Sequence, residues 1–124
     1  MKQRVKTVPL DIYKRGVQVF YGTREQFIAY AKNMEFEIDD EEVKTLQEKT
    51  GGITLRLPLD AAVALFPEAD EYFVIHELGH ASKHILRIVE VEDEEAEMYL
   101  MEHLCREILP WFRAISSSGP SGSR

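Results

Sequence analysis

The sequence has only one cysteine, Cys105, among its 124 residues. A single thiol cannot form a disulfide within the chain, so a small fold held together by disulfides is excluded. A structural zinc site built from several cysteines is excluded for the same reason. The chain also lacks any run of about 18 apolar residues, which is the length that a membrane-spanning helix requires. With 44% hydrophobic residues, the composition is that of an ordinary globular protein with a packed core.

Basic residues are also scarce relative to acidic ones, with 15 Lys and Arg against 22 Asp and Glu and a net charge of −7. Nucleic acids and anionic membranes bind basic patches, so we expect neither as a partner. The N-terminal stretch MKQRVKTVPLD lacks the apolar segment of a secretory signal. We therefore expect a cytoplasmic protein, and the sequence favours no particular oligomeric state.

The length fits a single domain, which we place at residues 1–115. The remaining stretch, SSSGPSGSR at 116–124, is rich in Ser, Gly and Pro. Such a composition cannot bury a core, so we interpret it as a flexible tail, consistent with a sequence added for expression.

Local patterns predict a domain of the α+β class. VKTVPLDIY and VQVFYG predict a β-hairpin, and TREQFIAYAKNM and DDEEVKTLQEKTGG predict two helices that each begin with a capping pattern. Residues 53–59 alternate apolar and polar side chains like a half-buried strand, and Pro58 favours an edge position. DAAVALFPEAD predicts a short helix broken at Pro67.

Two longer helices are predicted at residues 71–89 and 93–109, the second ending before Pro110. The Trp111–Phe112 pair after it is expected to fold back onto the core, because exposing both rings to water is costly. The link between the helices, RIVEVED, is short enough to make them antiparallel neighbours.

The segment VIHELGHASKH, at residues 74–84, holds three histidines and one glutamate. In the predicted helix, the apolar residues form one stripe: Val74, Leu78, Ala81, Ile85 and Ile88. His76 and His80 lie on the opposite side, one turn apart, with Cβ atoms about 5–6 Å from each other. Two such imidazoles can bind one zinc ion, with Glu77 placed to accept a proton from water, as in the motif H-E-x-x-H. The alternative is a solvated helix face that is rich in histidine by accident.

Catalytic zinc requires three protein ligands and one open position. His84 continues the four-residue spacing, but it lies about 12 Å along the helix from His76, too far to share one ion. We therefore expect His84 to be exposed or to support the site. The second long helix, which we expect to be largely buried, carries one polar stripe: Glu95, Tyr99, Glu102, His103 and Arg106. A buried carboxylate needs a partner; Glu102 has Arg106 four residues later, whereas Glu95 has no local cation.

The segment HELGH followed by EEAEMYL resembles the gluzincin branch of zinc metallopeptidases. More narrowly, it resembles small zincin-like proteins of tailed-phage genomes, in which E-x-x-x-Y-L follows the H-E-x-x-H helix. It is also similar, more distantly, to metallopeptidases that cleave phage repressors and carry E-A-x-x-F-A. The resemblance covers about residues 53–104, and Leu100 stands where the repressor-cleaving pattern has alanine.

This resemblance implies a minimal zincin-like domain, in which a small N-terminal sheet packs through an edge strand on the H-E-x-x-H helix. It implies Zn²⁺ as cofactor, bound by His76, His80 and Glu95, with Glu77 as general base. The edge strand of a zincin binds the substrate backbone by strand addition, and here it is expected to do so through three residues: Leu55, Arg56 and Leu57.

Tyr99 and His103 share the polar stripe of Glu95, so each is a candidate hydrogen-bond donor to the oxyanion of a peptide transition state. The alternative that we favour for both is a supporting or core polar role.

The function expected from these features is a zinc-dependent peptidase acting on a protein or peptide, encoded by a phage and working in the host cytoplasm. One alternative is a zincin-like module that binds metal without turnover, in phage assembly or protein interaction. Another is a helical interaction domain without metal, which requires HELGH to be accidental. Glu77 favours the enzyme, because a structural site has no use for a base, whereas the small size favours the module.

Overall fold

The structure is a computed structural model and describes residues 2–48 and 50–117. The elements follow in the order β1 (Arg4–Leu10), β2 (Arg15–Tyr21), α1 (Arg24–Asn33), α2 (Asp40–Glu48), β3 (Gly52–Arg56), β4 (Ala61–Leu65), α3 (Glu71–Ile88) and α4 (Glu94–Ser117). The predicted α+β class is confirmed. Of the predicted tail, Ser116 and Ser117 belong to α4, and residues 118–124 lie outside the described residues.

The four strands form one sheet in the order β1-β2-β4-β3. β1 and β2 are the predicted antiparallel hairpin, which is thereby confirmed, and β3 pairs antiparallel with β4. β2 and β4 run parallel because the chain between them crosses over through α1, α2 and β3. The prediction of an edge strand is confirmed for residues 53–56, since β3 is the outermost strand on its side, but the strand ends at Arg56, before Pro58.

The sheet separates two hydrophobic clusters, so the domain has helices on both faces. The larger cluster joins β1, β2 and β4 to α3 and α4, and the smaller one joins the opposite face to α1 and α2. Successive residues of a strand point to opposite faces. Val19 and Tyr21 therefore belong to the larger cluster, while Phe20 between them packs with Phe27 of α1 in the smaller one.

The prediction of a helix in DAAVALFPEAD is wrong, because Ala61–Leu65 forms the inner strand β4. All five of its residues are buried, and β4 pairs on both sides. Alanine favours helix intrinsically, but tertiary packing overrides that preference. Small side chains suit this strand because it lies under helices on both faces.

The predicted beginnings of α1 and α2 are confirmed. The Thr23 side chain accepts from the backbone of Gln26, whose own side chain accepts from Thr23, so both halves of the capping box are present. Asp39 accepts from the backbone of Glu42 at 2.8 Å in the same way before α2. Each cap satisfies amide groups that the first turn of a helix leaves without partners.

The prediction that α4 ends before Pro110 is wrong, because the helix continues to Ser117 with Pro110 inside it. Proline inside a helix removes one backbone hydrogen bond. The continuation is stabilised by Phe112, which is buried and meets the ring of Tyr21 edge-on at 5.8 Å, and by the partly buried Trp111. Both rings thus pack on the core as expected, but as part of the helix.

Among the described residues, no helix is long and apolar enough to cross a membrane.

Gly52 begins β3 in a conformation that other residues rarely adopt, with a φ of 145°. A Cβ atom at this position would lie 1.9 Å from the carbonyl oxygen of Ala64 on the neighbouring strand. The close approach of two backbones therefore requires glycine here.

Candidate metal centre

His76 and His80 lie on the side of α3 that faces away from the main core. α3 begins at Asp70, whose side chain accepts from the backbone of Phe73 at 2.8 Å. From there the predicted apolar stripe packs into the larger cluster through buried residues that include Val74 and Leu78. This packing fixes the rotation of the helix and leaves the His76 side chain 65% exposed and His80 partly exposed.

The two imidazoles lie within hydrogen-bond distance of each other and close enough to share one metal ion. Their Nε2 atoms lie 3.1 Å apart, and the rings are nearly perpendicular, at 89°. Two nitrogens bound to a tetrahedral zinc ion at the usual bond length lie about 3.3 Å apart, so little movement would be needed to fit the ion. A nitrogen from each histidine and a carboxylate oxygen of Glu77 all lie within 4.8 Å of one another. The donor set therefore fits a divalent transition metal such as zinc.

Glu77 is buried, with 7% of its surface exposed, and is the only buried carboxylate in the part of the chain that the structure describes. The hydroxyl of Thr54 on β3 lies 2.6 Å from its Oε1 and 3.2 Å from its backbone oxygen. The hydroxyl has one proton, so the shorter contact to the carboxylate is the hydrogen bond. The other oxygen, Oε2, lies 3.9 Å from Nε2 of His76. Thr54 thus holds the carboxylate beside the histidines.

A cavity of about 280 Å³ lies over these residues, between α3 and the edge strand β3. Gly52, Ile53, Thr54 and Arg56 line one side, and His76, Glu77 and His80 line the other. Arg56 is exposed and is the cationic side chain among these lining residues. The site is therefore a shallow surface cleft, bounded by a helix and the edge of a sheet.

The backbone of β3 presents hydrogen-bonding groups along this cleft. Gly51 and Leu57, just outside the strand, bond inward to the residues around β4, through Phe66 N to Gly51 O and Leu57 N to Asp60 O. Bonded and open positions alternate in an antiparallel strand, so residues 52, 54 and 56 present their backbone groups to the open edge. An extended peptide can pair with these groups.

The alternation of bonded and open positions along β3 changes the expected role of the three residues predicted to bind substrate. Arg56 lies at the open edge, as expected. Leu55 is buried in the smaller cluster and its backbone faces β4. Leu57 lies beyond the end of β3, and its carbonyl oxygen is 2.6 Å from Nε2 of His84 while its amide bonds to Asp60. Strand addition would therefore use Thr54 and Arg56 rather than Leu55 and Leu57.

The structure does not bring Glu95 to the two histidines. Within residues 2–48 and 50–117, the group able to hold a metal consists of His76, Glu77 and His80. α4 meets α3 through a different glutamate, since Glu97 forms a 3.0 Å ion pair with Lys83. Glu95 and Glu97 are about 200° apart around the helix, so Glu95 points to the other side. There it lines a separate cavity together with Tyr99 and His103.

The expectation that α4 is largely buried is wrong, because the whole predicted polar stripe is exposed to solvent. Tyr99, for example, is 68% exposed. An exposed carboxylate is solvated by water and needs no metal to compensate its charge. The alternative partner expected for Glu102 is present, since Arg106 contacts it at 2.5 Å. Tyr99 and His103 lie with Glu95, away from the histidine cleft.

One supporting residue, Thr54, escaped sequence analysis. Thr54 binds Glu77 from 23 residues earlier in the chain, and its only signal was a polar position in an alternating strand. His84, expected to be exposed or to support the site, is partly buried and binds the carbonyl of Leu57, just after the strand at the cleft. Burial raises the pKa of the Cys105 thiol and so disfavours its reactive thiolate form.

We expect Thr54→Val to destabilise the protein at neutral pH by about 1–3 kcal/mol, because the isosteric change leaves a buried carboxylate without its donor. Thr54→Ser keeps the hydroxyl and should lose no more than about 1 kcal/mol. Urea unfolding followed by circular dichroism measures both variants. Equal stability of the Val and Ser variants would show that the contact between Thr54 and Glu77 contributes nothing.

Comparison of the chain with known protein families, with curated proteins and with solved structures finds no significant match. The interpretation of the cleft therefore depends on its own geometry.

Proposed function

We propose that this protein is a zinc-dependent peptidase in which His76 and His80 bind the metal and Glu77 is the general base. The observation that carries the proposal is the pair of imidazole nitrogens 3.1 Å apart, beside a buried carboxylate and under an open strand edge. Peptide hydrolysis at zinc requires side chains that bind the metal, a base, and a means of aligning an extended chain. The two histidines, Glu77 and the edge of β3 correspond to these parts.

Each residue of the cleft has a definite task in this proposal. Zinc, when bound, supplies a Lewis acid that polarises the scissile carbonyl and lowers the pKa of water. Glu77 accepts a proton from the attacking water and then donates it to the departing amine. Thr54 keeps the carboxylate turned toward the histidines. The open positions of β3 bind the substrate backbone and so hold the scissile bond over the two histidines.

The cleft contains two histidine ligands, and the third ligand that catalytic zinc requires has to come from outside it. Glu95, the glutamate implied by the family resemblance, lies outside the cleft. Catalytic zinc has three protein ligands, so the start of α4 would have to shift to bring Glu95 in, or a partner would have to supply the third ligand.

A second candidate function follows from the same fact. Among the described residues, His76, His80 and Glu77 are the side chains that converge. If Glu77 itself coordinates the metal, it cannot accept a proton from water, and the site then serves a non-catalytic metal-binding module. The burial of Glu77 and its bond to Thr54 favour the base, because they hold the carboxylate beside the histidines without any metal.

Metal binding is the first requirement. We expect one zinc ion per chain by native mass spectrometry, and His80→Ala to weaken zinc binding by at least about 100-fold in a chelator competition, since it removes a ligand. His84→Ala is the matched control, because His84 lies on the same helix but contacts Leu57. If both variants bind zinc as tightly as the native protein, the metal does not bind at His76 and His80.

Activity separates the two candidate functions. The zinc-loaded protein should cleave members of a quenched-fluorescence peptide library, and 1,10-phenanthroline should stop the cleavage. Zinc binding at His76 and His80 without cleavage of any peptide would favour the module over the peptidase.

A further inference from the structure

A second cavity lies on the other side of α4 and is about twice the size of the histidine cleft, at about 560 Å³ against 280 Å³. One wall is the end of β1 and the turn that follows it, at residues 9–13, and the other is the exposed side of α4, together with Asp93 before it. We call this cavity the hairpin groove. It is separate from the proposed metal site, as the two cavities have no lining residue in common.

The hairpin groove displays large apolar side chains to solvent. Ile12 on the turn is 86% exposed and Tyr99 on α4 is 68% exposed. Between them the lining includes Leu10 and Leu100, whose side chains join the main core. Apolar residues that gather around a concave surface are typical of binding sites, whereas scattered ones carry no such meaning.

The charges around the groove have one sign. Asp11, Asp93 and Glu95 line it, and its lining contains no lysine or arginine. The Asp93 carboxylate is engaged with the backbone amide of Glu95 at the start of α4, at 2.9 Å. Asp11 and Glu95, one on each wall, have no side-chain partner among the described residues. Two carboxylates without partners, flanking an apolar floor, complement a segment that carries positive charge on both sides of an apolar residue.

We propose that the hairpin groove docks a short, positively charged segment of a partner protein. Its apolar side chain enters between Ile12 and Tyr99, and flanking Lys or Arg side chains pair with Asp11 and Glu95. The charge excludes phosphate-bearing ligands, because the groove has carboxylates where such ligands need cations. In this arrangement of α4, Glu95 faces the docked segment, and the third metal ligand comes from elsewhere.

Nuclear magnetic resonance of the 14.3 kDa chain can test this docking directly. The probe is the peptide acetyl-KKLLKK-amide, and the charge-reversed control is acetyl-EELLEE-amide. The basic peptide should shift the backbone amide signals of Ile12, Ala96 and Tyr99, with smaller shifts at high salt. The acidic peptide should shift none of them.

Variants separate the groove from the general acidity of the surface. The double variant Asp11→Asn with Glu95→Gln should weaken binding of the basic peptide several-fold, whereas Glu107→Gln, an exposed position of α4 outside the groove, should leave it unchanged. The proposal is overturned by equal weakening in both, by no shifts at millimolar peptide, or by shifts spread over the whole acidic surface. Shifts of the groove signals with protein concentration alone would assign the groove to a second copy of the chain and also overturn it.

Discussion

Replacing Glu77 with glutamine is expected to reduce peptide hydrolysis by about 10²–10⁴-fold, the usual contribution of a general base. Glutamine has nearly the same shape and can still accept from Thr54, so the fold and the two histidines should be retained. It cannot accept a proton from water. We expect the loss in kcat, measured with a fluorogenic peptide at saturating zinc, while zinc affinity changes little.

The matched control is Glu90→Gln, which removes an exposed carboxylate just beyond the end of the same helix. It should retain full activity. If Glu77→Gln still cleaves peptides at the native rate, the base is elsewhere and the proposed chemistry fails. If it loses zinc as strongly as His80→Ala does, Glu77 is a ligand and the non-catalytic module becomes the better description.

The second large effect concerns stability rather than chemistry. We expect Gly52→Ala to lower the free energy of unfolding by about 3 kcal/mol or more, because alanine adds the cost of an unfavourable φ to a steric clash between strands. The added Cβ would lie 1.9 Å from the carbonyl oxygen of Ala64, a backbone atom that can move only if β3 and β4 separate. Urea unfolding monitored by circular dichroism gives the difference.

Gly79 provides the matched control for this measurement. It lies inside α3, where a Cβ would meet nothing within 4 Å. Gly79→Ala should therefore raise stability by about 0.5–1 kcal/mol, since alanine favours helix. A Gly52→Ala protein that unfolds at the same urea concentration as the native protein would show that β3 does not approach β4 as closely as the structure has it.

Elements whose signals are local could be predicted from the sequence. The capping box at Thr23 and the apolar stripe of α3 each lie within a few residues, and both are confirmed. β4 could not be recognised, because AAVAL becomes a strand only through neighbours on both sides, supplied by β2 and β3 from elsewhere in the chain. Pro110 was misleading for a related reason: the buried ring of Phe112 keeps the helix going past it.

The same distinction applies to the candidate site. His76, Glu77 and His80 come from one helix turn, so their proximity follows from helix geometry alone. The direction of Glu95 depends on the rotation of α4, which is set by Leu104 and Ile108 in the core and by the Lys83–Glu97 ion pair. These contacts cross between elements, and a polar stripe on one helix does not reveal which neighbour it faces. Glu95 as a ligand of the metal stays a prediction.

The two open edges of the sheet differ in how readily they would admit another chain. β1 carries Arg4, Lys6 and Pro9, and charges and proline on an edge discourage uncontrolled aggregation. β3 has a single charge, Arg56, at its end. An edge that is open to an extended peptide is equally open to a strand of another molecule. Because β3 has only five residues, pairing with a strand of another molecule would form few hydrogen bonds. On this side of the sheet, the short length of the edge strand rather than its charge therefore limits aggregation.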